Sequence, residues 1–181
     1  DSFLTDPLAR AARSAVAAGI VVVASAGNAG KDESGREVYG AISSPGHEPS
    51  VITVGADNMV GTADRADDLI TSFSSRGPTR GSFTFASGNR WTDNLIKPEL
   101  VAPGNKVISV QGDHNYILAT LFPQNAQTDV EPSLQYMGLS GTSMAAPVVS
   151  GVVALMLQAN PALTPSQVKA LLMYTAQSMP D

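Results

Sequence analysis

The sequence predicts an α/β fold, part of a parallel sheet with helices on both faces, and three observations carry that prediction. A capped helical segment runs through a glycine straight into a β-branched apolar run. A second short apolar run follows about thirty residues later. Two further helical segments then close the chain.

The first helix starts where Asp6-Pro7 offers a capping carboxylate followed by proline at the first helical position. Leu8, Ala11, Ala12, Ala15 and Val16 recur at three- and four-residue spacing, so they share one face. Gly19 is a stop signal. The run Ile20–Ala24 is continuously apolar and β-branched, as expected of a strand buried on both faces. Val51–Val54 reads as a second buried strand and Val107–Val110 as a third. The stretches 72–94 and 111–137 are polar and irregular; loops of that length signal function or insertion rather than scaffold. Thr142–Gln158 reads as a helix apolar around nearly its whole circumference, hence buried all round. Asn160-Pro161 ends it, and Thr164-Pro165-Ser166-Gln167 is a capping box that starts the last helix, with Val168, Leu171, Leu172 and Thr175 as its stripe.

Composition narrows the function. The chain has 181 residues, 43% hydrophobic and 15% charged, enough for a core and too few charges for a disordered chain. A net charge of −5 without a Lys/Arg cluster argues against nucleic-acid binding. There is no cysteine, which removes disulfides, thiolate catalysis and Cys-based metal sites and leaves the compartment open. The runs at Ile20–Ala24 and Val152–Leu157 are too short to span a bilayer.

The chemistry concentrates in two places. Gly141-Thr142-Ser143-Met144-Ala145-Ala146-Pro147 opens the apolar helix. A serine there sits beside unpaired backbone N–H groups at the positive end of the helix dipole, both of which favour negative charge near its hydroxyl. Taken alone, Ser143 and Thr142 could serve as caps only. The second place is Ser25-Ala26-Gly27-Asn28-Ala29-Gly30, leaving the first apolar run, where the carboxyl end of a strand is a usual ligand site. Asn28 could aim its amide at an anionic oxygen; an ordinary Gly-Asn turn is the plain alternative. Gly27–Asp32 lacks two of the defining residues of a phosphate loop, and Gly141–Ala145 approaches but does not match the esterase G-x-S-x-G elbow.

The segment 141–147 resembles the nucleophile motif of the subtilases, and residues 20–30 are similar to their strand and oxyanion turn. Further segments match in order and rough spacing: 44–56, 72–78 and 97–104. The resemblance implies a subtilisin-like fold and endopeptidase activity on polypeptide substrates, with Ser143 as nucleophile and Asn28, with the Ser143 N–H, as oxyanion hole. It also implies that Ser25, Ala26 and Gly27 form one wall of the substrate side-chain pocket, with Ser43 near its floor. Relatives hold a structural cation, calcium or another, on backbone carbonyls of the loop matching 46–51; side-chain chemistry here demands no metal and no cofactor. Secretion is implied by resemblance alone.

Subtilases place the catalytic Asp and His before the oxyanion strand. Residues 1–181 are therefore read as the C-terminal portion of the catalytic domain, cut at both ends and lacking two triad members. His47 and His114 read as exposed loop histidines, and a new triad from His114, Asp113 and Ser143 is disfavoured. The chain alone should be a poor enzyme or none, pairing with the N-terminal half of the domain or with itself. The rivals are a non-catalytic subtilase-like module that binds peptides or acts as a scaffold, and a serine esterase with another base.

Overall fold

The computed structural model describes residues 2–112, 117–127 and 135–179. Helix α1 (Pro7–Ala17) begins as the sequence predicts: the Asp6 carboxylate accepts the Ala9 N–H at 2.7 Å. Strand β1 (Val23–Ser25) follows and pairs in parallel with β2 (Ile52–Asn58), Val23 opposite Ile52 and Ser25 opposite Val54. The third parallel strand is β6 (Leu100–Pro103), on the other edge of β2. A short antiparallel strand, β3 (Leu69–Ile70), continues the β1 edge beyond Asp57.

Alternation along β1 decides which helix covers which face. Val22 and Ala24 meet Ala12 of α1 and Val51 on one side. Val21 and Val23 join Ile52, Val54, Ala56 and Ala102 on the other. There they pack against α3 (Thr142–Ala159) and α4 (Pro165–Thr175) through Ala145, Val149, Val153 and Val168. The helices thus lie on both faces, as the fold class required. The Thr164/Gln167 capping box forms, each partner bonded to the other's backbone N–H.

Four expectations are corrected. Residues 107–110 do form a strand, β7 (Val107–Val110), but not in the parallel sheet. It pairs antiparallel with β9 (Tyr136–Leu139), which also pairs with β8 (Ala126–Gln127). Its Ile108 and Val110 are exposed, so the strand forms but is not buried. The Ile20–Ala24 run is not buried on both faces. Ile20 is 57% exposed, Val21–Val23 are half-buried, and no strand pairs with the outer edge of β1 among the described residues. Helix α3 is not buried all round, because Val148, Val152 and Leu155 stand exposed on its outer side. The stretches 72–94 and 111–137 are not wholly irregular. The first contains the hairpin β4 (Ser82–Thr84) and β5 (Arg90–Thr92), and the second contains helix α2 (Ile117–Leu121) with β8. The hairpin is tied to the N-terminal segment by an edge-on Phe3–Trp91 contact and by the Asp93 carboxylate, which accepts the Ser2 hydroxyl at 2.7 Å. Although α3, at 18 residues, is long and apolar enough to cross a bilayer, its inner side is packed on β1, β2 and β6.

Candidate active site

Parallel strands deliver their carboxyl ends to one edge of the sheet, and the start of α3 is seated there. Strand β6 runs into Gly104, whose N–H donates to the Asp57 carbonyl at 3.1 Å and whose carbonyl accepts the Gly141 N–H at 2.8 Å. The contact is close: a Cβ on Gly104 would stand 2.6 Å from that of Ala56 and 3.0 Å from the Gly141 carbonyl oxygen. Gly141 itself has φ 156° and ψ 158°, a region open only to glycine. Its missing side chain leaves room for Asn28, whose Nδ2 lies 3.2 Å from where a Cβ would be.

Strand β1 delivers the other half. Beyond Ser25 the chain passes through Ala26 and Gly27 to Asn28, separated from α3 by more than a hundred residues yet bonded to it. The Asn28 Oδ1 accepts both the Thr142 N–H and the Thr142 hydroxyl, each at 2.9 Å. The same hydroxyl accepts the Gly27 N–H at 3.1 Å. Thr142 is fully buried and bridges the two segments. With Oδ1 committed to Thr142, the amide end of Asn28 is the end turned towards the Gly141 side. Ser75 braces the turn from behind: its N–H donates to the Gly27 carbonyl at 2.9 Å and its hydroxyl accepts the Ala29 N–H at 3.0 Å.

Ser143 follows Thr142 in the first turn of α3, is exposed, and its hydroxyl has no hydrogen-bond partner among the described residues. Pro147, having no N–H, leaves the Ser143 carbonyl without its helical donor as well. The next N–H groups turn inward, that of Met144 to the Gly141 carbonyl at 2.9 Å. The arrangement can present a free hydroxyl next to a fixed carboxamide at a helix N-terminus, the elements of nucleophilic attack with a stabilised oxyanion.

The other residues singled out in the sequence gather alongside. The Ser43 N–H donates to the Ala26 carbonyl at 2.9 Å, and a Cβ on Gly27 would collide with the Ser43 Oγ. Ser25 and Gly27 are half-buried, Ala26 is buried and Ser43 is exposed. Thr142 and Ser75 were missed as site residues. Thr142 was visible as a cap and Ser75 lay inside the matched segment 72–78, but neither pattern says what the side chain touches.

His47 is not an exposed loop residue: it is 7% exposed, and its Nε2 has no partner among the described residues. It lines a cleft with Asp6, Ser44 and Thr79, and none of Asn28, Thr142 and Ser143 lines that cleft. His114 and Asp113 lie outside the described residues. No cluster of three or more His, Asp or Glu side chains with metal-binding geometry exists among the described residues.

Comparison with known proteins places these features in context. A model described as the Subtilase family matches residues 2–181. Serine protease AprX of Bacillus subtilis (strain 168) is 43% identical over 167 residues, covering 92% of this chain and 32% of that protein. Subtilisin-like protease SBT4.3 of Arabidopsis thaliana is 35% identical over 116 residues, covering 64% of this chain and 14% of that protein. Among solved structures, sphericase superposes with a TM-score of 0.61 at 27% identity, covering 93% of this chain and 43% of that one. A cold-adapted subtilisin-like serine proteinase gives 0.56 at 27% identity, covering 92% and 42%. The chain thus spans about a third of the length of AprX and less than half of each of these solved chains.

Proposed function

The chain belongs to the subtilase family of serine proteases, and from that premise we propose that it carries the nucleophile and the oxyanion-binding group of a serine endopeptidase. One observation supports this above the others. Thr142 locks the Asn28 carboxamide oxygen, so that its amide nitrogen turns towards the Gly141 side, beside the exposed and unbonded Ser143 hydroxyl.

In this reading the Ser143 Oγ attacks the substrate carbonyl carbon and forms the acyl-enzyme. The carbonyl oxygen, as it gains negative charge, takes hydrogen bonds from the Asn28 Nδ2 and the Ser143 N–H. Ser25, Ala26, Gly27 and Ser43 line the pocket that receives the substrate side chain preceding the scissile bond. The serine proton needs a base, and the base an orienting carboxylate. Of the described residues the sole histidine is His47, which is buried and lines a cleft that Ser143 does not line. We assign the base and its carboxylate to polypeptide outside this chain. The bare edge of β1 and the exposed Val148, Val152 and Leu155 of α3 are the surfaces such a segment, or a second copy of the chain, would cover. A base-free Ser143 with only its oxyanion groups retains roughly 1000- to 10000-fold over water, so the chain alone is expected to be a poor enzyme. Secretion of the parent protein belongs to the same proposal and rests on family resemblance.

The test is a fluorophosphonate probe applied to the intact protein, with the adduct located by mass spectrometry and peptide and simple ester turnover measured in parallel. The expected result is labelling at Ser143, lost in Ser143→Ala together with peptide cleavage. A folded protein that is not labelled there, or peptide cleavage that survives Ser143→Ala, would overturn the assignment. Ester turnover without peptide turnover would point to an esterase instead.

A further inference from the structure

The loop at residues 46–51 turns a set of backbone carbonyls inward, and family resemblance assigns such a loop to a metal ion. We infer that in this protein the ammonium groups of Lys97 and Lys169 occupy that carbonyl cluster in place of a metal. The inference does not depend on the catalytic reading of Ser143.

The geometry is complete on its own terms. Lys97 Nζ, on a side chain only 2% exposed, donates to the carbonyls of Glu48 at 3.0 Å and Val51 at 2.9 Å, and lies 3.0 Å from the Thr53 hydroxyl. The Thr53 hydroxyl in turn donates a hydrogen bond to the Gly46 carbonyl. Lys169 Nζ, reaching in from α4, donates to the carbonyls of Pro49 at 2.6 Å and Val51 at 2.9 Å. Four inward carbonyls are thereby satisfied, and that of Val51 spends both lone pairs on lysines. Glu99 closes the cluster. Its Oε1 meets Lys97 at 2.7 Å and Lys169 at 2.6 Å, while its Oε2 accepts the Thr53 N–H at 2.7 Å.

Two physical arguments exclude an added cation. Two ammonium groups against one carboxylate leave a formal charge of about +1 in a site that is buried on the Lys97 side and partly exposed on the Lys169 side, which repels a further cation. Calcium takes about six to eight oxygens, and here the carbonyls and the one carboxylate are already engaged. The same loop also touches the backbone of Ser25 and Ser43. Gly46 packs so closely that a Cβ would lie 2.9 Å from the Ser43 carbonyl oxygen and 3.1 Å from that of Ser25.

The experiment compares thermal unfolding of the intact wild-type protein with Lys97→Ala and Lys169→Ala. It is run at constant ionic strength and pH 6.5, in tetramethylammonium, sodium, potassium, ammonium or calcium chloride. Burial pulls the Lys97 ammonium down to about 8, so it is charged at that pH. The wild type is expected to unfold at the same temperature in all five salts after treatment with a chelator. Lys97→Ala is expected to unfold several degrees lower in tetramethylammonium and to recover saturably in ammonium or potassium, ions small enough to enter the vacated carbonyl cage. Saturable, ion-specific stabilisation of the wild type at millimolar concentration overturns the inference, and that arm stands even if a variant does not fold. A folded Lys97→Ala that matches the wild type, or whose loss no small cation restores while Lys169→Ala behaves likewise, overturns it as well.

Discussion

Replacing Asn28 separates what this side chain holds together from what it does for a substrate. Its Oδ1 is the acceptor for two donors of Thr142, a fully buried residue, and its Nδ2 is the end left towards the Gly141 side. Asn28→Leu removes both ends. Each buried donor left unpaired costs about 1–3 kcal/mol, but Asn28 is itself exposed and water can reach the gap. A loss of about 1–2 kcal/mol in total is therefore expected. Loss of one oxyanion donor should lower kcat by roughly 100- to 1000-fold with little change in KM. Asn28→Asp keeps an acceptor for Thr142 and so should retain most of the stability. In the proposed reading it also places a carboxylate where the oxyanion forms, and kcat should fall at least as far. The assay is kcat and KM on a chromogenic peptide for the intact protein, paired with urea unfolding of each variant. Asn28→Asp that keeps kcat within about threefold of wild type would refute the reasoning, because the stabilising and catalytic roles would then not divide between Oδ1 and Nδ2.

Two further outcomes follow from the same region of the sheet. Gly141→Ala forces a side chain into a backbone region open only to glycine and within 3.2 Å of the Asn28 Nδ2. Stability should fall by about 1–3 kcal/mol in urea unfolding, and kcat should fall by more than about tenfold as the amide is displaced; unchanged kcat would count against the site geometry. Asp57, 5% exposed at the end of β2 with its Oδ1 unpartnered among the described residues, has its carboxyl pushed up to about 6, first by burial and then by Asp68. The folded state then holds a proton that the unfolded chain, near its ordinary value of 3.8, has released. That contribution to stability is present below about pH 4 and is lost as pH rises through about 6, by at most about 3 kcal/mol. Asp57→Asn should be more stable than wild type at pH 7.5 and nearly equal to it at pH 4; a pH-independent difference would contradict the linkage.

Local signals were legible because they are written in adjacent residues. Asp6-Pro7 and the Thr164 capping box set the starts of α1 and α4, since a cap needs only a side chain and the N–H groups two or three positions on. The apolar run at β2 and the family-like segment 141–147 were equally visible. What the sequence could not decide is pairing between distant segments. Residues 107–110 and 100–103 both carry strand-like runs, and only the sheet shows that Leu100–Pro103 lies beside β2. The bare outer edge of β1 and the exposed side of α3 are likewise facts about neighbours, which an apolar pattern cannot name. The Thr142 bridge to Asn28 spans 114 positions and the Lys169 contact with Val51 spans 118. Hydrogen-bond partners at such separations are chosen by how the whole chain packs, so residue type alone announces a donor but not the acceptor it will meet.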